Sequence, residues 1–286
     1  MKPSIKTFYH TPSSTMTYVV SDPATKTAAI IDPVYDFDLP SGQVSVSSSN
    51  EVIDYVNEQS LDVQWILETH AHADHLSSAQ YLKQHLGGTV AIGKGITGVQ
   101  KTFKQVLNLP TFTTDGSQFD QLLVGGDRLP LGDLAIKVLA TPGHTDDSVT
   151  YVIGKNAFIG DTLFMPDSGT ARCDFPGGDA ALLFDSIGKI FALGDEVDLW
   201  ICHDYQPGGR ALKFKTTVAK QKADNIHLAN DVDKTKFVST REERDATLAV
   251  PKLLYPAVQV NICAGHLPEP EVNDQAFVKI PLSLIQ

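Results

Sequence analysis

The stretch Trp65-Ile66-Leu67-Glu68-Thr69-His70-Ala71-His72-Ala73-Asp74-His75 decides the fold. Its first half reads as a buried strand. Its second half places four metal-competent side chains, His70, His72, Asp74 and His75, in one short loop. Leu76 to Leu86 then reads as a helix. A strand that runs into clustered imidazoles and a carboxylate reads as the floor of a metal site. That donor mixture suits zinc, iron or manganese.

Further along the chain, three more candidates each follow a strand-like run. They are His144 in Pro-Gly-His-Thr, Asp161 in Gly-Asp-Thr and His203 in Cys-His-Asp-Tyr. Loops at strand ends bring distant residues together on a rigid scaffold. Gly143 and Gly160 beside them allow close backbone approach.

The elements around these loops follow from pattern. Ile5–Tyr9, Met16–Val20 and Ala28–Ile31 read as strands, with Asp22-Pro23 as a turn. Asn50 is expected to cap a helix over Glu51–Gln59. A strand at Thr89–Ile92 and a helix at Ile96–Leu107 follow. A second set of strands is expected from Gln121 onward. It includes Leu134–Ala140, a Val149–Ile153/Ala157–Ile159 hairpin turning at Gly154-Lys155, and Asp198–Ile201 after a helix at Ala180–Ala192. Two strand-rich halves with helices between them imply α/β architecture. The expected form is an αββα four-layer sandwich of two mixed sheets flanked by helices. Beyond Tyr205, helices are expected at Thr216–Leu228 and Arg241–Ala249, with an extended wrap from Pro251. The whole chain, 1–286, reads as one domain, with 216–286 a wrap that completes the substrate site.

Composition narrows the function. The formal charge is 23 − 34 = −11. So acidic a surface repels phosphate backbones, which argues against nucleic acid. No apolar run is long enough to cross a bilayer, so no membrane partner is expected. The N-terminus lacks an apolar signal core. The three cysteines, Cys173, Cys202 and Cys263, are odd in number and widely spaced. That is no disulfide framework and fits a reducing compartment. These features point to a cytoplasmic protein. Cys173 and Cys202 read as packing residues. His10, His85, His227 and His266 stand outside the motifs and receive no role.

Thr69–His75, Thr141–His144, Gly160-Asp161 and His203 together resemble the metallo-β-lactamase superfamily, with its motifs in the same order. The resemblance implies the four-layer sandwich and a site at one edge of its sheets. It argues against antibiotic hydrolysis, because the zinc β-lactamases typically carry cysteine at the position of Asp161. Arg172-Cys173-Asp174-Phe175 and His203-Asp204-Tyr205 further resemble the persulfide dioxygenases. Thr216-Thr217-Val218 and Asn225-Ile226-His227 are similar to the bacterial branch. The animal type has Asn-Pro-Arg where Asn225-Ile226-His227 stands here.

That likeness implies one Fe(II) per chain on His70, His144 and Asp161, the two-histidine, one-carboxylate set that leaves positions open for O2 and substrate. Glutathione persulfide and O2 would be the reactants, giving sulfite and glutathione in sulfide detoxification. His72, Asp74, His75 and His203 would then surround the iron and orient ligands and water. The alternative is a thioester hydrolase of the glyoxalase II kind. There Asp161 would bridge two zinc, iron or manganese ions, one on His70, His72 and His144, the other on Asp74, His75 and His203. Arg172 is expected in a buried ion pair with Asp174 rather than on substrate. The likeness places Tyr205 beside glutathione. On so acidic a protein the glutathione carboxylates need fixed cations, and Arg210, Lys213 and Lys215 are the candidates. Arg241 and Arg244 are expected on a helix surface among Glu242, Glu243 and Asp245. Family habit suggests a homodimer.

Overall fold

The computed structural model describes residues 2–229 and 232–282. The first half runs β1 (Ser4–His10), β2 (Thr15–Ser21), β3 (Thr27–Ile31), β4 (Val34–Asp38), β5 (Gln43–Ser45), α1 (Ser47–Glu58) and β6 (Asp62–Leu67). It continues with β7 (Leu76–Ser77), α2 (Ala79–Leu86), β8 (Thr89–Gly93), α3 (Ile96–Val106) and β9 (Gln121–Leu123). The second half holds β10 (Arg128–Leu131), β11 (Leu134–Ala140), β12 (Val149–Ile153), β13 (Asn156–Phe158), α4 (Ala180–Phe191), β14 (Asp198–Trp200) and β15 (Lys215–Thr217). Three helices close the chain: α5 (Val218–Asp224), α6 (Lys234–Asp245) and α7 (Leu254–Asn261).

One six-stranded sheet has the order β1-β2-β3-β6-β8-β9, a second runs β10 to β15 in sequence order, and a small third sheet has the order β5-β4-β7. Both large sheets are mixed. β3, β6, β8 and β9 are parallel neighbours, as are β13 and β14, and the remaining pairs of these two sheets are antiparallel. Alternation along β2 and β3 separates two cores. Met16, Tyr18, Val20, Ala29 and Ile31 pack with Ile136, Val138, Tyr151 and Phe158 of the facing sheet. Val19, Ala28 and Ile30 pack instead with Val52, Leu82, Val99 and Val258 from the helices. On the far side, Leu183, Ile187 and Ile190 of α4 join the core between the sheets. The layering is therefore αββα, as the strand-rich halves imply.

Two hydroxyls tie the sheets together beside the motif loops. Tyr18 Oη donates to the Ile201 carbonyl at 2.5 Å, and Tyr151 Oη donates to the Glu68 carbonyl at 2.8 Å. The strand ends that carry His203 and His70 are thereby fixed to opposite sheets.

Several sequence expectations are corrected. α1 begins at Ser47, so Asn50 lies inside the helix and accepts from Tyr81 Oη instead of capping. Leu76-Ser77 is a strand paired with β4, and the helix starts only at Ala79. β9 closes the first sheet, so the second begins at Arg128. Lys215–Thr217 pairs with β14, because β-branched Thr216 and Thr217 satisfy an open sheet edge, and α5 follows under a Thr217 cap. α6 starts at Lys234, seven positions before the expected Arg241, with Asp233 as its cap accepting from the Lys236 N–H. The stretch after Pro251 forms α7, whose Leu254 and Val258 enter the helix-side core.

Candidate metal centre and substrate cavity

The loops after β6, β11, β13 and β14 converge and bring all seven candidate ligands together. His70 Nε2 and His144 Nε2 each lie 3.8 Å from one atom, Asp161 Oδ2. The other carboxylate oxygen, Asp161 Oδ1, faces His203 Nε2 at 3.4 Å. His203 Nε2 also lies 3.3 Å from Asp74 Oδ2. The donors form two adjoining groups, His70–His144–Asp161 and His72–Asp74–His75–His203. Asp161 stands between them.

Two glycines make this approach possible. Gly160 has φ +50°, and a Cβ there would meet Thr69 Oγ1 at 2.7 Å. Gly143 has φ +140°, and a Cβ would come within 2.3 Å of the Leu183 nitrogen at the start of α4. Gly160→Ala is therefore expected to cost about 1 kcal/mol or more, from the unfavourable φ alone, and to displace Thr69. Thermal unfolding beside the wild type measures it.

Hydrogen bonds settle which imidazole nitrogen faces inward. Thr69 Oγ1 donates to Asp32 Oδ2 at 2.9 Å, so at 3.0 Å it accepts from His70 Nδ1. The Arg172 carbonyl can only accept, so His144 donates to it from Nδ1 at 2.7 Å. Asp32 Oδ1 accepts from His72 Nε2 at 3.1 Å. The nitrogens left bare are His70 Nε2, His144 Nε2 and His72 Nδ1. An acceptor behind each ligand is how proteins orient metal-binding histidines.

The donor set fits a metal. His72 Nδ1, Asp74 Oδ2, His75 Nε2, Asp161 Oδ1 and His203 Nε2 are buried and have no hydrogen-bond partner among the described residues. Each such atom costs about 1–3 kcal/mol when left unsatisfied. A cation at the centre supplies the missing partner. Burial, reinforced by His72 and His144, holds the His70 pKa well below its ordinary value and keeps the ring neutral. Burial, with His72 adding, lowers His75 to about 4. Burial opposes ionisation of Asp74, yet His203 and His75 outweigh it and keep the carboxyl below its usual range.

A cavity of about 440 Å³ opens onto Asp74, His144 and Asp161. Its walls include Phe164, Phe175 and Tyr205, and its cations are Arg172, Arg241 and Arg244. Arg172 grips Asp174 through two bonds of 2.6 Å and donates to the Ala249 carbonyl. Its guanidinium lies 4.9 Å from the centre of the Phe175 ring, and that ring meets His144 edge-on. The Arg172–Phe175 motif thus orients His144 and forms the cavity wall at once. The expected pair with Asp174 is present, but it is half-exposed rather than buried. Tyr205 is exposed and stacks on His203, with ring centres 5.8 Å apart.

The predicted cations fare differently. Arg210 is engaged by Asp167 and Asp204, which braces the His203-Asp204-Tyr205 loop. Lys213 and Lys215 do not line the cavity. Lys213 donates its backbone N–H to Asp204, and Lys215 pairs with Asp198 over the Trp200 ring, because β15 turns it along the sheet edge. Arg241, expected on a helix surface, is 2% exposed and bonds Asp245 and the Thr170 carbonyl. Arg244 also faces the cavity. The cause is the packing of α6 on the 170–175 segment, which buries Arg241 and leaves Arg244 exposed at the cavity. Sequence reasoning also missed Asp32. Its signal was present: a carboxylate ending the apolar run Ala28-Ala29-Ile30-Ile31, as His70 follows Trp65–Thr69. His227, given no role, accepts the Thr170 N–H at 2.9 Å beneath the cavity wall.

Comparison with known proteins agrees with this geometry. Residues 10–203 match the metallo-beta-lactamase superfamily. The chain belongs to that superfamily, whose members are metal-binding enzymes. It is 53% identical to the beta-lactamase hydrolase-like protein of Agrobacterium fabrum, across 99% of this chain and 66% of that protein. The chain thus spans just under two thirds of that relative's length. It is 46% identical to glyoxylase B2 of Dictyostelium discoideum, across 100% of this chain and 99% of the relative. The human mitochondrial persulfide dioxygenase ETHE1 is 29% identical across 68% of this chain and 65% of its own. Among solved structures, ETHE1 from Myxococcus xanthus superposes with a TM-score of 0.74 at 30% identity, covering 92% of this chain and 100% of that one. No helix among the described residues is long and apolar enough to cross a membrane.

Proposed function

We propose that the chain is a persulfide dioxygenase that oxidises glutathione persulfide with O2 to sulfite and glutathione. The observation that carries this is the convergence of His70 Nε2 and His144 Nε2 on Asp161 Oδ2, both at 3.8 Å, at the floor of the cavity. Two imidazoles and one carboxylate are the facial set of non-haem Fe(II) oxygenases. The likeness to two proteins named ETHE1 supports the same reading. Iron bound there would supply redox chemistry with positions open to O2 and sulfur.

The chain's own residues do the rest. Thr69, Asp32 and the Arg172 carbonyl hold the ligand rings in one tautomer. His72, Asp74, His75 and His203 line the adjoining space and accept hydrogen bonds from water or substrate. Arg241, Arg244 and Leu248, from the segment expected to complete the substrate site, line the cavity. Glutathione carries two carboxylates, and Arg172 and Arg241 are already engaged by aspartates. Arg244 is exposed on the cavity wall and is the cation best placed for a substrate carboxylate. Arg244→Ala is expected to raise KM about tenfold, the scale of one charged hydrogen bond, with little change in kcat. Steady-state kinetics with glutathione persulfide reads it.

One observation favours a second reading. Asp161 presents an oxygen to each donor group, as a carboxylate between two ions would. A two-metal thioester hydrolase uses that arrangement, and the likeness to a protein named glyoxylase B2 supports it. Metal analysis of anaerobically prepared protein separates the two. About one iron per chain, with O2 uptake on glutathione persulfide, is the outcome expected. Two ions per chain, with release of glutathione from S-lactoylglutathione and no O2 uptake, would replace the dioxygenase by the hydrolase.

A further inference from the structure

We propose that Thr15 is a positioning residue that sets the tautomers of His75 and His203 together, and that Ser13 and His10 hold Thr15 in that role. This rests on the site being a metal centre, but not on which metal it takes or which reaction it runs.

Thr15 begins β2 on the first sheet and is fully buried. It bridges to His203 from the second sheet, and the neighbouring Met16 N–H reaches the Cys202 carbonyl at 2.7 Å. Thr15 Oγ1 lies 3.3 Å from His75 Nδ1 and 3.2 Å from His203 Nδ1. On its outer side it lies 2.7 Å from Ser13 Oγ, which is 2.6 Å from His10 Nδ1. His10 Nε2 in turn faces Asp36 Oδ1 at 3.5 Å.

A hydroxyl has one hydrogen and two lone pairs. Thr15 can donate to only one imidazole, but it can accept from both. Were both Nδ1 atoms bare, one would face the Thr15 oxygen with no hydrogen between them. Were one bare, it could accept from Thr15, but its hydrogen would then sit on Nε2 and point into the centre where a cation needs the lone pair. Both contacts are satisfied with both Nε2 lone pairs free when both Nδ1 atoms carry hydrogen, and at His75 Asp74 Oδ1, 3.4 Å from Nδ1, favours the same tautomer. Thr15 then has no acceptor inward, and its hydrogen points out to Ser13 Oγ. The Ser13 carbonyl at 3.4 Å is the only other acceptor it reaches among the described residues. Ser13 donates onward to His10 Nδ1, which leaves the His10 hydrogen on Nε2, facing Asp36. Every donor along the row points away from the site.

The consequence lies at the inner end. Among the described residues His75 Nε2 and His203 Nε2 are buried without a hydrogen-bond partner, and His203 Nε2 faces Asp74 and Asp161 oxygens at 3.3 and 3.4 Å across the centre. With hydrogen fixed on Nδ1, each offers its Nε2 lone pair to the centre. One threonine thus prepares two donors from two distant loops, while His70, His72 and His144 use separate acceptors. The second donor group is thereby kept ready to meet a cation. A buried hydroxyl with both lone pairs committed holds it so.

The test uses the metal-free protein with nitrogen-15 in its histidines, read by NMR. Wild type is expected to show exchange-protected Nδ1–H signals at both His75 and His203. Thr15→Val, which keeps the shape and removes the acceptor, is expected to lose that protection at His203 and to weaken it at His75, where Asp74 Oδ1 remains 3.4 Å from Nδ1. It should also weaken Zn(II), followed at the same two signals, by about 10–100-fold, the usual effect of removing an outer partner. Thr15→Ser should restore both readouts. Ser13→Ala, at a half-buried turn, should weaken Zn(II) a few-fold in the same direction and keeps the test decisive if the valine variant does not fold. Protected Nδ1–H signals and unchanged Zn(II) affinity in the variants that fold would overturn the proposal. Because no substrate enters these measurements, failure of the dioxygenase reading would show separately, as absent O2 uptake in wild type.

Discussion

Asp161→Asn is expected to abolish turnover while leaving the metal-free fold intact. Asp161 Oδ2 is the shared focus of His70 and His144, and Oδ1 reaches toward His203. Asparagine keeps the shape but removes the charge that balances a cation among neutral imidazoles. Loss of a residue that merely orients a ligand costs about 10–100-fold in metal affinity or activity, so loss of the ligand charge should exceed that range. The expected result is metal content near background and O2 uptake down by more than ~100-fold. The companion measurement is stability without metal. Burial raises the Asp161 pKa, and Oδ1 lacks a hydrogen-bond partner among the described residues. A neutral amide is easier to bury there, so the metal-free variant should unfold at or above the wild-type temperature. Wild-type turnover in the variant would remove Asp161 from the chemistry. A collapsed fold would make it structural.

The burial cost behind that expectation is also why the site was legible in the sequence. Side chains costly to bury without a partner were crowded at the ends of apolar strands, and only a shared task tolerates that. The same logic applies to Asp32 but was harder to see, because a single carboxylate before Pro33 reads equally well as a turn residue. The two-sheet architecture was legible too, since the alternation in β2 and β3 sorts Tyr18 from Val19 and Ile31 from Ile30 onto opposite faces. The assignment of strands to sheets was not. Gln121–Leu123 is only three residues long, and its pairing with β8 depends on contacts that no local pattern encodes. α7 was hidden by Pro256 and the Pro251 just before it. Pro256 stands in the first helical turn, where its missing N–H costs no helix bond, so a sequence that looked extended could coil. Arg244 escaped for a related reason: charge pattern alone gave α6 a solvent-facing surface, and only the packing of the helix against the cavity wall shows which arginines turn inward.

Asp245→Ala is expected to cause the largest loss of stability of any single change at the cavity. Arg241 and Asp245 lie one turn apart on α6 and are 2% and 4% exposed. They bond to each other, with a second contact from Arg241 Nε to Asp245 Oδ2 at 3.4 Å. The pair also binds the rest of the fold. Asp245 Oδ2 accepts the Cys173 N–H at 2.8 Å, and Arg241 donates to the Thr170 carbonyl at 3.0 Å. Both contacts reach the 170–175 segment, whose Arg172 carbonyl orients His144. Removing the aspartate strands a guanidinium in the interior and frees a backbone N–H. Breaking a buried pair from one side costs about 3–5 kcal/mol. Urea or thermal unfolding should show a loss of that size, with weaker metal retention as the His144 support loosens. Replacing both partners at once, Arg241→Met with Asp245→Leu, removes the two charges together and should recover most of the stability. A single Asp245→Ala change that costs under about 1 kcal/mol, the level of an exposed pair, would show that α6 is not the brace of the cavity wall.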